Sequence, residues 1–254
     1  MKTIAELQSL AGRAALVIGG AGNIGAAVVD ALQECGCAVA VADAKAPVRA
    51  DAHFLVDLRN ESETKMLPAQ TASALGRLDI LIHAAAFVGT TDFPGWAVPF
   101  AQQTTDAWDA AMAVNLTSAF VLAQAAAPYL AAGGHGSVIL ISSIYGHVAP
   151  DMKLYTGTTM QNPAAYGASK AGLRQLARYL SAMMAPAVRV NVITPGGVAR
   201  SQPREFVERY EARVPLGRMA VEEDIKGAAV YFASDLSAYV TGQELIVDGG
   251  FLSW

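Results

Sequence analysis

Short apolar runs alternate along the chain with longer stretches whose apolar positions recur at helical spacing. Residues 14–18, 38–42, 53–56, 79–83, 137–141, 188–193 and 243–247 have the length and apolar content of strands buried on both faces. Between them, residues 26–34, 61–75, 105–129, 166–184, 202–213 and 222–233 predict helices. Strands and helices that alternate throughout imply an α/β fold, a doubly wound parallel sheet of about seven strands with helices on both faces. No linker, repeat or low-complexity segment divides it, so residues 1–254 form a single domain.

The chemistry gathers where strands end. Strand 14–18 runs into Gly19-Gly-Ala-Gly22-Asn23-Ile24-Gly25 and then a helix. Glycines let a backbone approach a pyrophosphate, and the following helix N-terminus offers N–H groups and a positive dipole. Plain tight turns also use glycine, so the next strand matters. It ends at Asp43, 18 residues after Gly25 (43 − 25). An acid there suits the ribose hydroxyls of NAD and repels the extra phosphate of NADP; the alternative is a solvated turn aspartate.

Tyr166 and Lys170 are four residues apart, so a helix projects both from one face. A free tyrosine ionises only near pH ~10, and an adjacent ammonium draws that value down, which makes the pair a candidate proton-transfer device. The plain alternative has Tyr166 packing and Lys170 in water. Asn115 sits amid apolar neighbours in the middle of a predicted helix, where its amide needs partners, and this hints at a functional hydrogen bond. Residues 87–103 carry Phe93, Pro94, Trp96, Pro99 and Phe100, either as a substrate wall or as a lid or subunit contact. The charged stretch 202–213 reads as a mobile helical lid.

Net charge is −4, with charged residues at 16%, which leaves no basic footprint for nucleic acid or an anionic membrane. Polar residues interrupt the apolar runs short of a bilayer span, and no signal-like segment opens the chain. Cys35 and Cys37 flank one glycine, too close for an unstrained disulfide, so reduced thiols and a cytoplasmic setting are expected. The four histidines show no ligand spacing, and no catalytic metal is expected.

Taken together, Gly19–Gly25, Asp43, Asp57, Ala84-Ala85, Asn115, Ser143, Tyr166-x-x-x-Lys170, Pro195-Gly196 and Asp248-Gly-Gly resemble the short-chain dehydrogenase/reductase family, in its branch of about this length. The resemblance covers nearly the whole chain and implies a Rossmann-like fold and a homotetramer or homodimer. It implies Tyr166 as acid/base, Lys170 lowering its pKa and binding the nicotinamide ribose, Ser143 holding the substrate oxygen, and Asn115 holding a proton-relay water. It also implies Asp43 on the adenosine ribose, Asp57 on the adenine amino group and Leu58 among the cofactor contacts. Ala84, Ala85, Pro195, Gly196 and Val198 complete the cofactor contacts, alongside Gly19, Gly22, Asn23, Ile24 and Gly25.

Departures stand beside these matches. Ile18 occupies the family's threonine position, and Asn23, a residue tolerant of left-handed backbone, its middle glycine. His83-Ala-Ala-Ala86 replaces Asn-Ala-Ala-Gly, and Arg200 with Ser201 replaces the threonine after Pro-Gly. The loop also fits the longer epimerase and dehydratase branch, against which the short C-terminal part argues. Ser143 and Tyr166 are 23 residues apart (166 − 143), wider than the family pattern. The extra residues 146–162 hold His147, Asp151, Lys153, Tyr155, Gln161 and Asn162, and suggest a polyol, sugar or sugar-acid ligand or a subunit contact. This insertion, Pro94 to Phe100 and Gln202-Pro203 also resemble a sub-branch linked to flagellin or nonulosonate sugar modification. The expected activity is NAD-dependent hydride transfer between nicotinamide and a secondary alcohol or ketone. An NADPH-dependent 3-oxoacyl-type reductase, an enzyme that recycles bound NAD, and a non-catalytic NAD-binding scaffold are the alternatives.

Overall fold

The computed structural model describes residues 1–47 and 49–254. Seven strands form one parallel sheet: β1 (Ala14–Ile18), β2 (Ala38–Asp43), β3 (Ala52–Leu55), β4 (Ile80–His83), β5 (Gly136–Ile141), β6 (Val188–Pro195) and β7 (Glu244–Val247). Their order is β3-β2-β1-β4-β5-β6-β7. The helices are α1 (Ile4–Gln8), α2 (Asn23–Glu34), α3 (Glu61–Leu75), α4 (Thr105–Met112), α5 (Ser118–Ala132), α6 (Ala164–Met184), α7 (Arg204–Glu211) and α8 (Glu223–Ala233).

The period-two alternation of each strand divides the core into two layers. Leu16 and Ile18 of β1 face Leu67 of α3, Leu122 of α5 and Leu173 of α6. Ala15 and Val17 face Val28 and Leu32 of α2 and Ile225 and Phe232 of α8. At the N-terminal edge of the sheet, the fully buried Asp79 accepts from the Ala14 amide at 2.9 Å and from both prongs of Arg77 at 2.7 Å. Chain order reverses between β1 and β4, which opens a crevice at the C-terminal ends of these strands.

The anticipated helix 105–129 is not continuous α-helix. Ala113–Thr117 forms a π turn between α4 and α5. The wider turn shifts the register so that the fully buried Asn115 points inward. Taken as one run, Thr105–Ala132 is 28 residues long and apolar enough to cross a membrane by length and composition, contrary to the expectation of interrupted runs. Here 44% of its most apolar window is buried, and Ala119, Leu122 and Leu130 pack in the core with α3 and α6.

The stretch read as a mobile lid is a packed helix. Phe206 and Tyr210 of α7 are buried, and Tyr210 stacks on Phe251 with 4.9 Å between ring centroids. Its charged residues line the other side, so charge alone misled. Leu122 tests the central layer. Leu122→Ala should lower unfolding free energy by about 2–5 kcal/mol, read as a shifted urea midpoint with unchanged slope.

Candidate active site

Glycine is required where the loop after β1 meets the loop after β4. Gly19 has φ +79°, and a side chain there would sit 2.5 Å from the backbone nitrogen of Ala85. A side chain on Gly25 would strike the Gly19 carbonyl, whereas one on Gly22 would meet only that oxygen, at 3.3 Å, and otherwise fill open space. The Asn23, Ile24 and Gly25 amides occupy the first turn of α2, where no intrahelical acceptor exists, and none other is present among the described residues. Asn23 lies within this right-handed turn, and no non-glycine residue described has positive φ, so its left-handed tolerance is not called upon.

Asp43, at the end of β2, accepts from the Ala21 amide at 3.0 Å and the Lys45 amide at 3.1 Å. It therefore shapes the glycine loop from below. Asp57 is half-exposed and forked by Arg59, whose guanidinium holds the carboxyl below the usual range. Leu58 packs onto the core, and the Ala84 amide donates to Ile18 at 2.8 Å. Pro195 closes β6, the Gly196 amide donates to Val247 at 2.9 Å, and Val198 bridges to Ala220. Arg200 pairs with Glu222 at 2.7 Å. A crevice with open space at Gly22, three unpartnered amides and an acid across from them fits a dinucleotide.

Next to the crevice, Ser143 follows β5, and Tyr166 and Lys170 lie in the first turns of α6. Burial pushes the Tyr166 phenol above its ordinary pKa, with the Ser143 side chain opposing and Tyr155 adding to the rise. The expected lowering by Lys170 is not seen. The Lys170 ammonium lies 5.8 Å from the Tyr166 ring centroid and donates to the Ile141 carbonyl at 2.8 Å, so it faces the ring rather than the hydroxyl. Lys170 is 2% exposed, and burial drops its own pKa to about 7.

Asn115 accepts from the Phe87 amide at 2.7 Å and donates to Ser169 at 3.0 Å, tying the β4 loop to α6. His83 is buried with Nε2 2.7 Å from Ser118 Oγ. Because the Ser118 hydroxyl donates to Val114, His83 Nε2 is the donor, and the residue supplies a structural hydrogen bond in place of asparagine's. Trp96 is fully buried, donates to Val88 at 2.8 Å and packs edge-on against Phe87. With Phe93, Ala107 and Ala165 it forms an aromatic backing for Tyr166, so three aromatics of the 87–103 segment join a small core while Phe100 stays exposed.

The insertion 146–162 packs against other parts of the same chain. His147 meets Glu244 at 2.6 Å, Asp151 meets Arg213 at 2.5 Å, and Tyr155 is buried against Phe206. Tyr145, absent from the sequence-level candidates, lies in the same cluster with its hydroxyl 2.8 Å from that of Tyr155. Its place two residues after Ser143 was the available signal. Cys35 and Cys37 are free thiols, as expected, and no group of three or more potential metal ligands occurs among the described residues.

A family model described as enoyl-(acyl carrier protein) reductase matches residues 19–252. The chain is 29% identical to sorbose reductase from Schizosaccharomyces pombe, over 96% of this chain and 98% of that protein. It is 31% identical to a probable galactose dehydrogenase from Rhizobium meliloti, over 96% and 97% respectively. A short chain dehydrogenase from Leptospira borgpetersenii, solved with bound NAD+, superposes with TM-score 0.86 at 30% identity, covering 99% of this chain and 96% of that one.

The buried Lys170 leaves a thermodynamic signature. Its folded pKa, about 7, lies below the unfolded value of ~10.4, so between these pH values the unfolded chain binds more protons. Stability should therefore rise with pH across that window, by at most ~1.4 kcal/mol per pH unit from this group. Urea titrations at several pH values between 7 and 10, on wild type and Lys170→Met, should show that part of the slope vanish in the variant.

Proposed function

The chain belongs to the short-chain dehydrogenase/reductase family, and on that premise we propose an NAD-dependent enzyme that interconverts a secondary alcohol and a ketone on a polyol, sugar or sugar-acid-derived substrate. The observation that carries the reading is Ser143 at the end of β5 meeting Tyr166 at the start of α6, with Lys170 buried one helical turn behind, 5.8 Å from the Tyr166 ring, beside the dinucleotide-shaped crevice. Relatives that include a sorbose reductase and a galactose dehydrogenase support the polar substrate class.

The nicotinamide, when bound, supplies or accepts the hydride. Ser143 holds the substrate oxygen, and Tyr166 takes its proton in oxidation or gives one in reduction. A phenol kept protonated by burial is ready to donate at neutral pH, whereas oxidation needs the phenolate and gains from alkaline pH. Lys170 supplies positive charge behind the phenol and a donor towards the ribose. Asn115 locks the π turn to α6 and so sets where that lysine lies. Positioning contributes much of the acceleration, since the reacting groups are held by buried elements rather than by loop tips.

Asp43 supports NAD over NADP, because a carboxylate at the end of β2 accepts ribose hydroxyls and repels a phosphate. Exposed apolar side chains on α4, α5 and α6, Trp108, Phe120, Tyr179 and Met183, support assembly into a homotetramer or homodimer. The C-terminal segment divides its roles, with Phe251 buried in its own subunit and Trp254 exposed. A 3-oxoacyl-(acyl-carrier-protein) reductase of rhamnolipid biosynthesis from Pseudomonas aeruginosa, 31% identical over 96% of this chain, favours one second reading, a ketone reductase acting on acyl thioesters, with NADPH as its dinucleotide.

Two measurements separate these readings. In fluorescence titrations NADH should bind about tenfold or more tightly than NADPH, and Asp43→Ser should narrow the gap; a preference for NADPH would favour the acyl reductase. Tyr166→Phe should lower kcat by about 10²–10⁴ with NADH affinity unchanged, and near wild-type turnover would remove Tyr166 from the mechanism.

A further inference from the structure

Tyr155 reaches the site from the insertion and is held on several sides. It is 7% exposed, its ring lies 5.3 Å from that of Phe206, and Arg209 of α7 donates to the carbonyls of both its neighbours, Leu154 at 3.2 Å and Thr156 at 2.5 Å. Its hydroxyl lies 2.8 Å from that of Tyr145 and accepts from Asn162 Nδ2 at 3.0 Å. Tyr145 is in turn tied to Ser143, whose Oγ accepts its amide at 3.2 Å. Asn162 stands four residues before Tyr166 (166 − 162) at the entrance to α6.

Counting hydrogens shows what this group lacks. The two phenols carry one hydroxyl hydrogen each, and only one of them is used between the two oxygens. Among the described residues no other acceptor meets either hydroxyl, so one O–H remains to donate. The Asn162 carbonyl oxygen accepts nothing among the described residues either, although its Nδ2 is engaged. An unused donor beside an unused acceptor complements a ligand hydroxyl, which both accepts and donates. The backbone of Tyr145 sets the cluster beside the reacting groups, since its amide donates to Ser143 Oγ and its carbonyl oxygen lies where a side chain on Gly167, next to Tyr166, would meet it at 2.9 Å.

We propose that Tyr155, backed by Tyr145 and Asn162, recognises a hydroxyl on the carbon adjacent to the reacting one, so that the enzyme selects vicinal diols and α-hydroxy ketones. This rests on the alcohol–ketone reading above and narrows its substrate class. A site built to hydrogen-bond a hydroxyl discriminates against an analogue that lacks it, because its own buried polar groups are then left unpaired.

The test compares 2,3-butanediol and sorbitol with 2-butanol as alcohol substrates, using whichever nicotinamide dinucleotide binds. Wild type should favour the diols, and Tyr155→Phe should lose about tenfold to a hundredfold in kcat/KM on them while staying within about twofold on 2-butanol. Tyr145→Phe leaves the Tyr155 hydrogen free and should keep the diol preference. Should Tyr155→Phe not fold, as read by thermal unfolding, Asn162→Ala should show the same selective loss. A wild type active on diols whose Tyr155→Phe variant loses equally on both substrate types, or on neither, overturns this inference alone. A wild type that oxidises 2-butanol but neither diol overturns the polyol reading on which it rests, and the inference with it.

Discussion

The structure depends most on a cation buried beside an aromatic ring. Lys170 is almost wholly removed from water, and a single carbonyl, that of Ile141, receives its hydrogen bond. An amine in that setting resists protonation, and burial drops its pKa to about 7. Much of the surrounding framework keeps it there. β5 presents the Ile141 carbonyl, the Ser142 hydroxyl donates to the Lys170 carbonyl at 2.8 Å, and Asn115 donates to Ser169 next door. The π turn that aims Asn115 is a local departure from α-helical geometry of the kind often found at functional sites.

Tyr166 stands between two aromatic assemblies of different origin. On one side Trp96, Phe87 and Phe93 make an apolar backing from the loop after β4. On the other, Tyr145, Tyr155, Phe206, Tyr210 and Phe251 join the insertion, α7 and the C-terminus. The first assembly has its polar atom satisfied internally, by Trp96 on Val88, whereas the second pairs the Tyr145 and Tyr155 hydroxyls with one another at 2.8 Å.

Much of this was readable in the chain. Strand and helix alternation needs only local burial patterns, and the sheet followed to within a few residues at most boundaries. The glycines declared themselves because close backbone approach tolerates nothing larger, as Gly19 against Ala85 shows. The helical spacing of Tyr166 and Lys170 guaranteed a shared face. Less was readable where two distant segments decide a property together. The charge of 202–213 hid an aromatic inner side, since what that side packs against comes from residues 154–155 and 251.

Sequence by itself determined the strand–helix rhythm, the phosphate-shaped turn and the pairing of tyrosine with lysine, because each depends on residues within one or two elements. Tertiary structure decided the rest. Burial set the direction of the Tyr166 shift against the local expectation, since desolvation is summed over every neighbouring element and not over the next helical turn. Whether Tyr155 belonged to the site was equally undecided by its spacing. Its hydroxyl acquires meaning only from Tyr145 and Asn162 beside it, and hydrogen-bond complementarity is a property of three-dimensional neighbours.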